Sequence, residues 1–168
     1  MKILIASDSH GRSDLLYKAF DTEKPDMVIH LGDLEDNRDI VERELGSPRI
    51  PCVFIKGNCD YDSEGKLLRS SVFTLKNHRF FCTHGHLYSV NYNLNGLMYE
   101  AKDNDCDIVL FGHIHRPVNE FMDLPFGAGK IHVINPGSIA YPRGGSVKSY
   151  MIMNLKDDGA YDIELKTL

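Results

Sequence analysis

Several common signals are missing from this 168-residue chain. No apolar stretch approaches the roughly 18–20 residues that a membrane-spanning helix needs. After Met1-Lys2 only four apolar residues precede Ser7-Asp8, too few for a secretory leader, so this segment reads as a first strand. Lys and Arg are scattered and never form a block, and the formal net charge is −5. That balance argues against non-specific binding to a polyanion, so no nucleic-acid partner is expected. The 4 Cys, at positions 52, 59, 82 and 106, show no C-x-x-C spacing. Three lie in or beside apolar runs, where a free Cys behaves as a small hydrophobe, and a reducing cytoplasm is the expected compartment. No linker, repeat or low-complexity segment breaks the chain, so residues 1–168 read as one domain.

Five short apolar runs are present, and each ends in polar side chains that bind metals. Ile3-Leu4-Ile5-Ala6 leads to Asp8-Ser9-His10, and Met27-Val28-Ile29-His30-Leu31 leads to Gly32-Asp33. Cys52-Val53-Phe54-Ile55 leads to Gly57-Asn58-Cys59-Asp60. Phe80-Phe81-Cys82-Thr83 leads to His84-Gly85-His86, and Ile108-Val109-Leu110-Phe111 leads to Gly112-His113-Ile114-His115. Short β-branched and aromatic runs read as buried strands. Ligands of open α/β sheets gather at the carboxyl ends of strands. Five such ends carrying Asp, Asn and His predict one polynuclear metal site assembled from distant sequence.

Between the runs, a helix from Ser13, capped by Ser13 or Asp14, should stop at Pro25. A second helix from Asn37 carries Ile40, Val41 and Leu45 and should stop at Gly46-Ser47-Pro48. This is a β-α-β-α-β order, which implies parallel strands with right-handed crossovers. Residues 71–75 and 78–82 flank Lys76-Asn77 as a hairpin. A helix over 91–102 carries Leu94, Leu97, Met98 and Ala101. Strands are predicted over 117–121, 130–134, 147–154 and 160–166, the last two joined by Lys156-Asp157-Asp158-Gly159. The front half thus reads as α/β, and the back half as a source of antiparallel strands. Two sheets packed face to face, with helices outside, would bury these elements.

Taken singly, the polar clusters are ambiguous. Asp8-x-His10 on extended chain points both side chains one way, yet an Asp beside a His is also a common cap. Asp33 could bridge two cations with its two oxygens, while Asp36 would orient it or, like Asn37, cap the following helix. Asn58 is a mediocre ligand and an excellent turn residue. The two H-x-H clusters are the strongest local signals, because each follows a strongly apolar run. His30 and His132, inside apolar runs, read as satisfied interior residues, and His78 as a solvated turn residue. Tyr88, Tyr92 and Asn95 either line a substrate rim or pack the next helix.

Taken in order, D-x-H, G-D-x-x-D, G-N-x-D, H-G-H and G-H-x-H resemble all five signature blocks of the calcineurin-like metallophosphoesterase superfamily. Asn135-Pro136-Gly137-Ser138, with Pro142-Arg143 close behind, is similar to a segment of its small YfcE-like phosphodiesterase branch. The resemblance implies a four-layer α/β/β/α sandwich of two packed mixed sheets. It implies two divalent cations. One would take Asp8, His10, Asp33 and His115, and the other Asp33, Asn58, His84 and His113. Catalytic roles then fall to Asp33, Asn58, His84 and His86. With two carboxylate ligands such a centre keeps a net charge of about +2, which suits a phosphate ester. A hydroxide between the cations would be the nucleophile. The mixed Asp, Asn and His set favours Mn, with Fe, Ni or Zn as alternatives to it.

Cys59 departs from the superfamily pattern, in which His often follows the Asn and protonates the leaving group. Either His86 replaces it or the substrates are ones whose leaving group needs little protonation. The expected activity is hydrolysis of phosphodiesters on a small phosphate-ester substrate, in a soluble enzyme that could form homo-oligomers. A phosphomonoesterase or nucleotide phosphatase on the same site is the first alternative. A non-catalytic scaffold resembling the metallophosphoesterase-fold subunit of retromer is the second, and the intact ligand set opposes it.

Overall fold

A computed structural model describes residues 1–63, 65, 67–124 and 129–168. Each of the five apolar runs forms a strand: β1 Lys2–Ala6, β2 Met27–His30, β3 Cys52–Phe54, β5 His78–Thr83 and β6 Ile108–Leu110. The remaining strands are β4 Ser70–Leu75, β7 Pro117–Asp123, β8 Lys130–Pro136, β9 Ser149–Leu155 and β10 Tyr161–Thr167. One five-stranded sheet has the order β10-β9-β1-β2-β3, and a second has the order β4-β5-β6-β8-β7. In the first, β1, β2 and β3 are parallel while β9 and β10 run antiparallel. In the second, β5, β6 and β8 are parallel, flanked by antiparallel β4 and β7. The back half is therefore mixed, not simply antiparallel. The apolar crossover from β5 through α3 (Asn95–Asp103) to β6 places those two strands side by side.

Alternation along β1 explains the layering. Ile3 and Ile5 point to the space between the sheets, where they meet Met27, Ile29, Phe80, Ile108, Leu110 and Met153. Leu4 and Ala6 point the other way, onto α1 (Ser13–Glu23) and α2 (Arg38–Glu44) through Leu16, Ala19 and Val41. On the far side, Phe81, Val109 and Val133 pack beneath Leu97, Met98 and Ala101 of α3. The result is the four-layer α/β/β/α sandwich. Among the described residues, no helix is long and apolar enough to cross a membrane.

Several local expectations are corrected. Neither Ser13 nor Asp14 caps α1. Arg12 holds the cap position and pairs with Asp14 at 2.8 Å, while Ser13 is buried with its hydroxyl unpartnered. For α2, Asn37 is the cap, its side chain accepting from the Ile40 N–H at 3.1 Å. α3 starts at Asn95 and not 91, because the chain before it is turned, with the Tyr92 N–H donating to the Ser89 carbonyl and the Asn95 N–H to Asn93 Oδ1, each at 3.0 Å. His78 is not solvated. Its ring bonds Asp107 and, at 2.8 Å, the Gly159 carbonyl.

His132 is satisfied on both nitrogens, by Tyr161 Oη and Asn119 Oδ1, each at 2.7 Å. His30 is different. It is fully buried; its Nε2 lies 3.1 Å from Ser9 Oγ, and Nδ1 has no hydrogen-bond partner among the described residues. Ser9 Oγ donates to the Leu34 carbonyl, so it accepts from His30, and the ring is the neutral Nε2–H tautomer. Burial pushes its pKa down to about 4. The unfolded chain binds this proton more readily than the folded one. Stability should therefore be complete above about pH 6.5 and fall as pH drops towards 4, by roughly 3 kcal/mol for this group. Urea denaturation of wild type and His30→Gln across pH 4–7 checks this, with a shallower pH slope expected in the variant.

Candidate metal centre

The backbone carries the strand directions past their ends. The Asp8, His10 and Gly11 N–H groups donate to the carbonyls of Gly32, Asp33 and Leu34 at 3.0, 2.9 and 2.9 Å. Gly112 donates in the same way to His84 at 3.0 Å. The His113 N–H reaches across the sandwich to Asp8 Oδ2 at 3.1 Å. Asp8, His10, Asp33, Glu35, His113 and His115 all adopt left-handed φ, between 45° and 70°. Such conformations strain residues with a Cβ and cluster at functional sites. Here they turn consecutive side chains inward at the rim. Two glycines make room. A Cβ on Gly32 would lie 2.6 Å from His84 Nδ1, and one on Gly57 would overlap the Asp33 carboxylate.

All seven predicted ligand residues face one region. Asp8 Oδ1 lies 3.1 Å from His115 Nε2 and 4.0 Å from His84 Nε2. His84 Nε2 is 3.3 Å from Asp33 Oδ2 and 3.1 Å from Asn58 Oδ1. His10 Nε2 is 3.3 Å from His115 Nε2 and 3.9 Å from Asp33 Oδ2. The His113 ring centroid lies 5.1 Å from that of His84. Asp8, His10 and His115 form one compact trio of ligand atoms, and Asp8, Asp33 and His84 form another.

The outer ring nitrogens define the chemistry. His84 Nδ1 faces the Leu31 carbonyl at 2.7 Å and His115 Nδ1 the Tyr141 carbonyl at 2.5 Å. His10 Nδ1 faces Glu35 Oε2 at 2.7 Å. Carbonyls and carboxylates only accept, so Nδ1 carries the proton in all three rings. In the neutral rings Nε2 is then a lone pair, and three such lone pairs converge on the carboxylate oxygens of Asp8 and Asp33. Asp8 Oδ1 is buried with no hydrogen-bond partner of acceptable geometry, its approach to His115 being ionic. A buried set of acceptors without donors requires positive charge. The pKa directions agree. Burial lowers the basicity of His84 and His115, yet Asp33 and Asp8 outweigh it and hold both rings above the usual range. Burial would raise the two carboxyls, but His115 pulls Asp8 down and His84 pulls Asp33 down. The donor set fits divalent cations that accept both oxygen and imidazole.

Other residues hold this set in place. Asp60 accepts from the N–H groups of Asp33 at 2.9 Å, Gly57 at 2.7 Å and Glu35 at 2.8 Å. Asp36, expected to orient Asp33, instead lies exposed, where it accepts from the Asn37 N–H. Asn91 reaches His113 Nε2 at 3.0 Å. Ser138 donates to the Asp8 carbonyl at 2.8 Å and Asn135 to that of Gly112 at 2.8 Å. Glu35 and Asn91 had no distinguishing sequence signal, since each sits in an irregular loop. His86 lies beside the centre, its ring 5.4 Å from His84, with Nδ1 unpartnered. Tyr88 packs edge-on against Phe81, Tyr92 is 89% exposed and Asn95 opens α3, so none of the three is drawn into the cluster.

Residues 1–158 match the family model for the calcineurin-like phosphoesterase superfamily domain. The chain belongs to that superfamily. It is 35% identical over 164 residues to a probable metallophosphoesterase, YsnB, of Bacillus subtilis, covering 95% of this chain and 88% of that protein. It is 29% identical over 175 residues to the phosphodiesterase YfcE of Escherichia coli, with 92% and 88% covered. A predicted phosphoesterase from Streptococcus pneumoniae superimposes with a TM-score of 0.81 at 30% identity, over 99% of this chain and 88% of that one. Zinc-complexed Vps29 from Entamoeba histolytica superimposes at 0.71 with 21% identity over 99% and 98% of the two chains, which shows a shared fold. The protein is thus a metallophosphoesterase, of an enzyme family that uses divalent metals.

Within this phosphoesterase domain Asp60 is the support most exposed to a conservative change. Asp60→Asn keeps the shape but turns an NH2 group towards at least one backbone N–H. It should cost about 1–3 kcal/mol and loosen the Asp33 and Gly57 turns. Thermal unfolding and a Mn titration check this, and an unchanged midpoint with unchanged Mn affinity would contradict it.

Proposed function

We propose that the protein is a phosphodiesterase whose centre would hold two divalent cations, most suitably Mn, with Asp33 serving in both ligand sets. Asp8, His10 and His115 complete one ligand set, and Asn58, His84 and His113 the other. The observation that carries this reading is the convergence of three imidazole Nε2 atoms, each ring with its Nδ1 turned to an acceptor, on the buried carboxylates of Asp8 and Asp33. Cations at such a centre supply Lewis acidity towards phosphoryl oxygens and acidify water towards neutral pH.

The chain's own groups have distinct tasks. The Leu31 and Tyr141 carbonyls and Glu35 fix the ring orientations of His84, His115 and His10. The Cys59 N–H donates to Asp33 Oδ1 at 2.8 Å, leaving Oδ2 turned towards His84 and His10. Proton donation to a leaving group is the weak point. Burial and then the charge of Asp33 push the Cys59 thiol up to about 11. Burial, with His84 and His113 nearby, lowers His86 and keeps it largely neutral at pH 7. Neither group is a ready acid, so esters whose alcohol departs without help, such as aryl diesters, suit the site. The phosphodiesterase named among the relatives supports the same choice over a monoesterase.

Elemental analysis of active protein should find two transition-metal ions per chain. Asp33→Asn, which weakens a charge and a bridge together, should lower both the metal content and turnover by orders of magnitude. At most one metal per chain in active wild type would overturn the dinuclear reading. With Mn, a bis-aryl phosphodiester should turn over faster than the matched aryl monoester, and the reverse order would favour a phosphomonoesterase. Cys59→Ala should keep the diester activity within about tenfold, or roughly 1.4 kcal/mol of barrier. A thousandfold loss with both metals retained would place the thiol in the chemistry.

A further inference from the structure

Beside the metal centre lies a cavity of about 570 Å³. Glu35, Cys59 and Asp60 form its border with the centre, since Glu35 touches His10 and the Cys59 N–H touches Asp33. Leu34, Phe54, Ile55 and Leu67 give it an apolar wall. The start of α2 and the loop before it add Asp36 and Asp39, both exposed and without a cationic partner among the described residues. The cavity's one cation among the described lining residues, Arg38, pairs with Glu42 through one terminal nitrogen, while its buried Nε has no hydrogen-bond partner among the described residues. Its guanidinium lies 3.3 Å from Glu42 and 5.7 Å from the centre of the Phe54 ring. A concave, partly apolar space opening onto a reaction centre is where the remainder of a substrate lies.

We infer that this cavity receives one ester group of a phosphodiester substrate, and that it selects a small alcohol bearing an ammonium group. The inference rests on the phosphodiesterase reading above. With its phosphoryl group at the metal centre, a diester can extend one substituent past Glu35 and Cys59. Methylene groups of that substituent meet the apolar wall, and its cation meets Asp36 and Asp39. A substituent carrying a carboxylate or further phosphates is repelled by the same two side chains.

A charge series of p-nitrophenyl phosphodiesters tests this, with 2-(trimethylammonio)ethyl, ethyl or 2-carboxyethyl as the second ester group. In wild-type enzyme loaded with Mn, kcat/KM should fall in that order. The cationic ester should exceed the ethyl ester by about fivefold at low salt, and the gap should shrink as salt rises. Asp36→Asn/Asp39→Asn should bring the ratio close to one while leaving the ethyl ester within about twofold. A cationic ester no faster than the ethyl ester, or a ratio unchanged in the double variant, overturns the inference. Hydrolysis of none of the three with metals bound overturns the phosphodiesterase reading instead. The cavity is then judged by NMR titration with phosphocholine. Shifts at Phe54 and Leu67 that the double variant abolishes support it, and their absence overturns it.

Discussion

One carboxylate ties the centre together. Asp60 neutralises three backbone N–H groups that no ladder partner can reach, at Asp33, Gly57 and Glu35. Those groups belong to the turns that end β2 and β3. Each turn departs from the sheet where its hydrogen bonding stops, so its amides need another acceptor or lose roughly 1–3 kcal/mol apiece to desolvation. A charged acceptor shared among three donors is stronger than any neutral alternative. It lets Asp33 and Glu35 occupy left-handed backbone and lets Gly57 approach the Asp33 carboxylate closely. The position of Asp33, and through Glu35 the orientation of His10, follow from that anchor.

The centre is electrostatically unbalanced by construction. Asp8 and Asp33 are buried, the imidazole rings around them offer lone pairs, and the protons sit on the outer nitrogens facing carbonyls. In the absence of cations, protons on His84 and His115 relieve the imbalance, which is why both rings are held more basic than usual. Metal and proton therefore compete for the same nitrogens. The surrounding core supplies the rigidity that this requires. Leu31, Cys82, Leu110 and Ile134 pack between the sheets just below the ligand loops, so repulsion among the acceptors cannot be relieved by spreading.

Much of this was legible in the residues. The apolar runs from Ile3, Met27, Cys52, Phe80 and Ile108 are too short for helices and too apolar for surface strands, and all became strands. The ligand residues were legible because each follows such a run. Other features were hidden because they depend on neighbours in space. Asp36 and Asp60 look alike in sequence, and only the meeting of the β2 and β3 turns decides which one orients Asp33. Ser13 looked like a cap, but the turn from Ser9 to Arg12 leaves it inside the helix. His78 sits at a hairpin, yet the β9–β10 turn folds over it. Parallel pairing of β6 with β8 could not be read from the intervening short strands, whose spacing suits hairpins equally well.

The pairing of β1 has a consequence for how the protein is made. β1 lies between β2 and β9, with Lys2 opposite Asn154 and Ile5 opposite Met151. On the ribosome the early strands emerge long before β9, so one side of β1 stays an open edge through most of synthesis. Its sequence, Lys2-Ile3-Leu4-Ile5-Ala6, is apolar on both faces and could template pairing with another chain. Asp8, Asp33 and Asn58 follow strands of the first sheet, while His84, His113 and His115 follow strands of the second. The nascent chain therefore cannot bring these residues together from its first half alone.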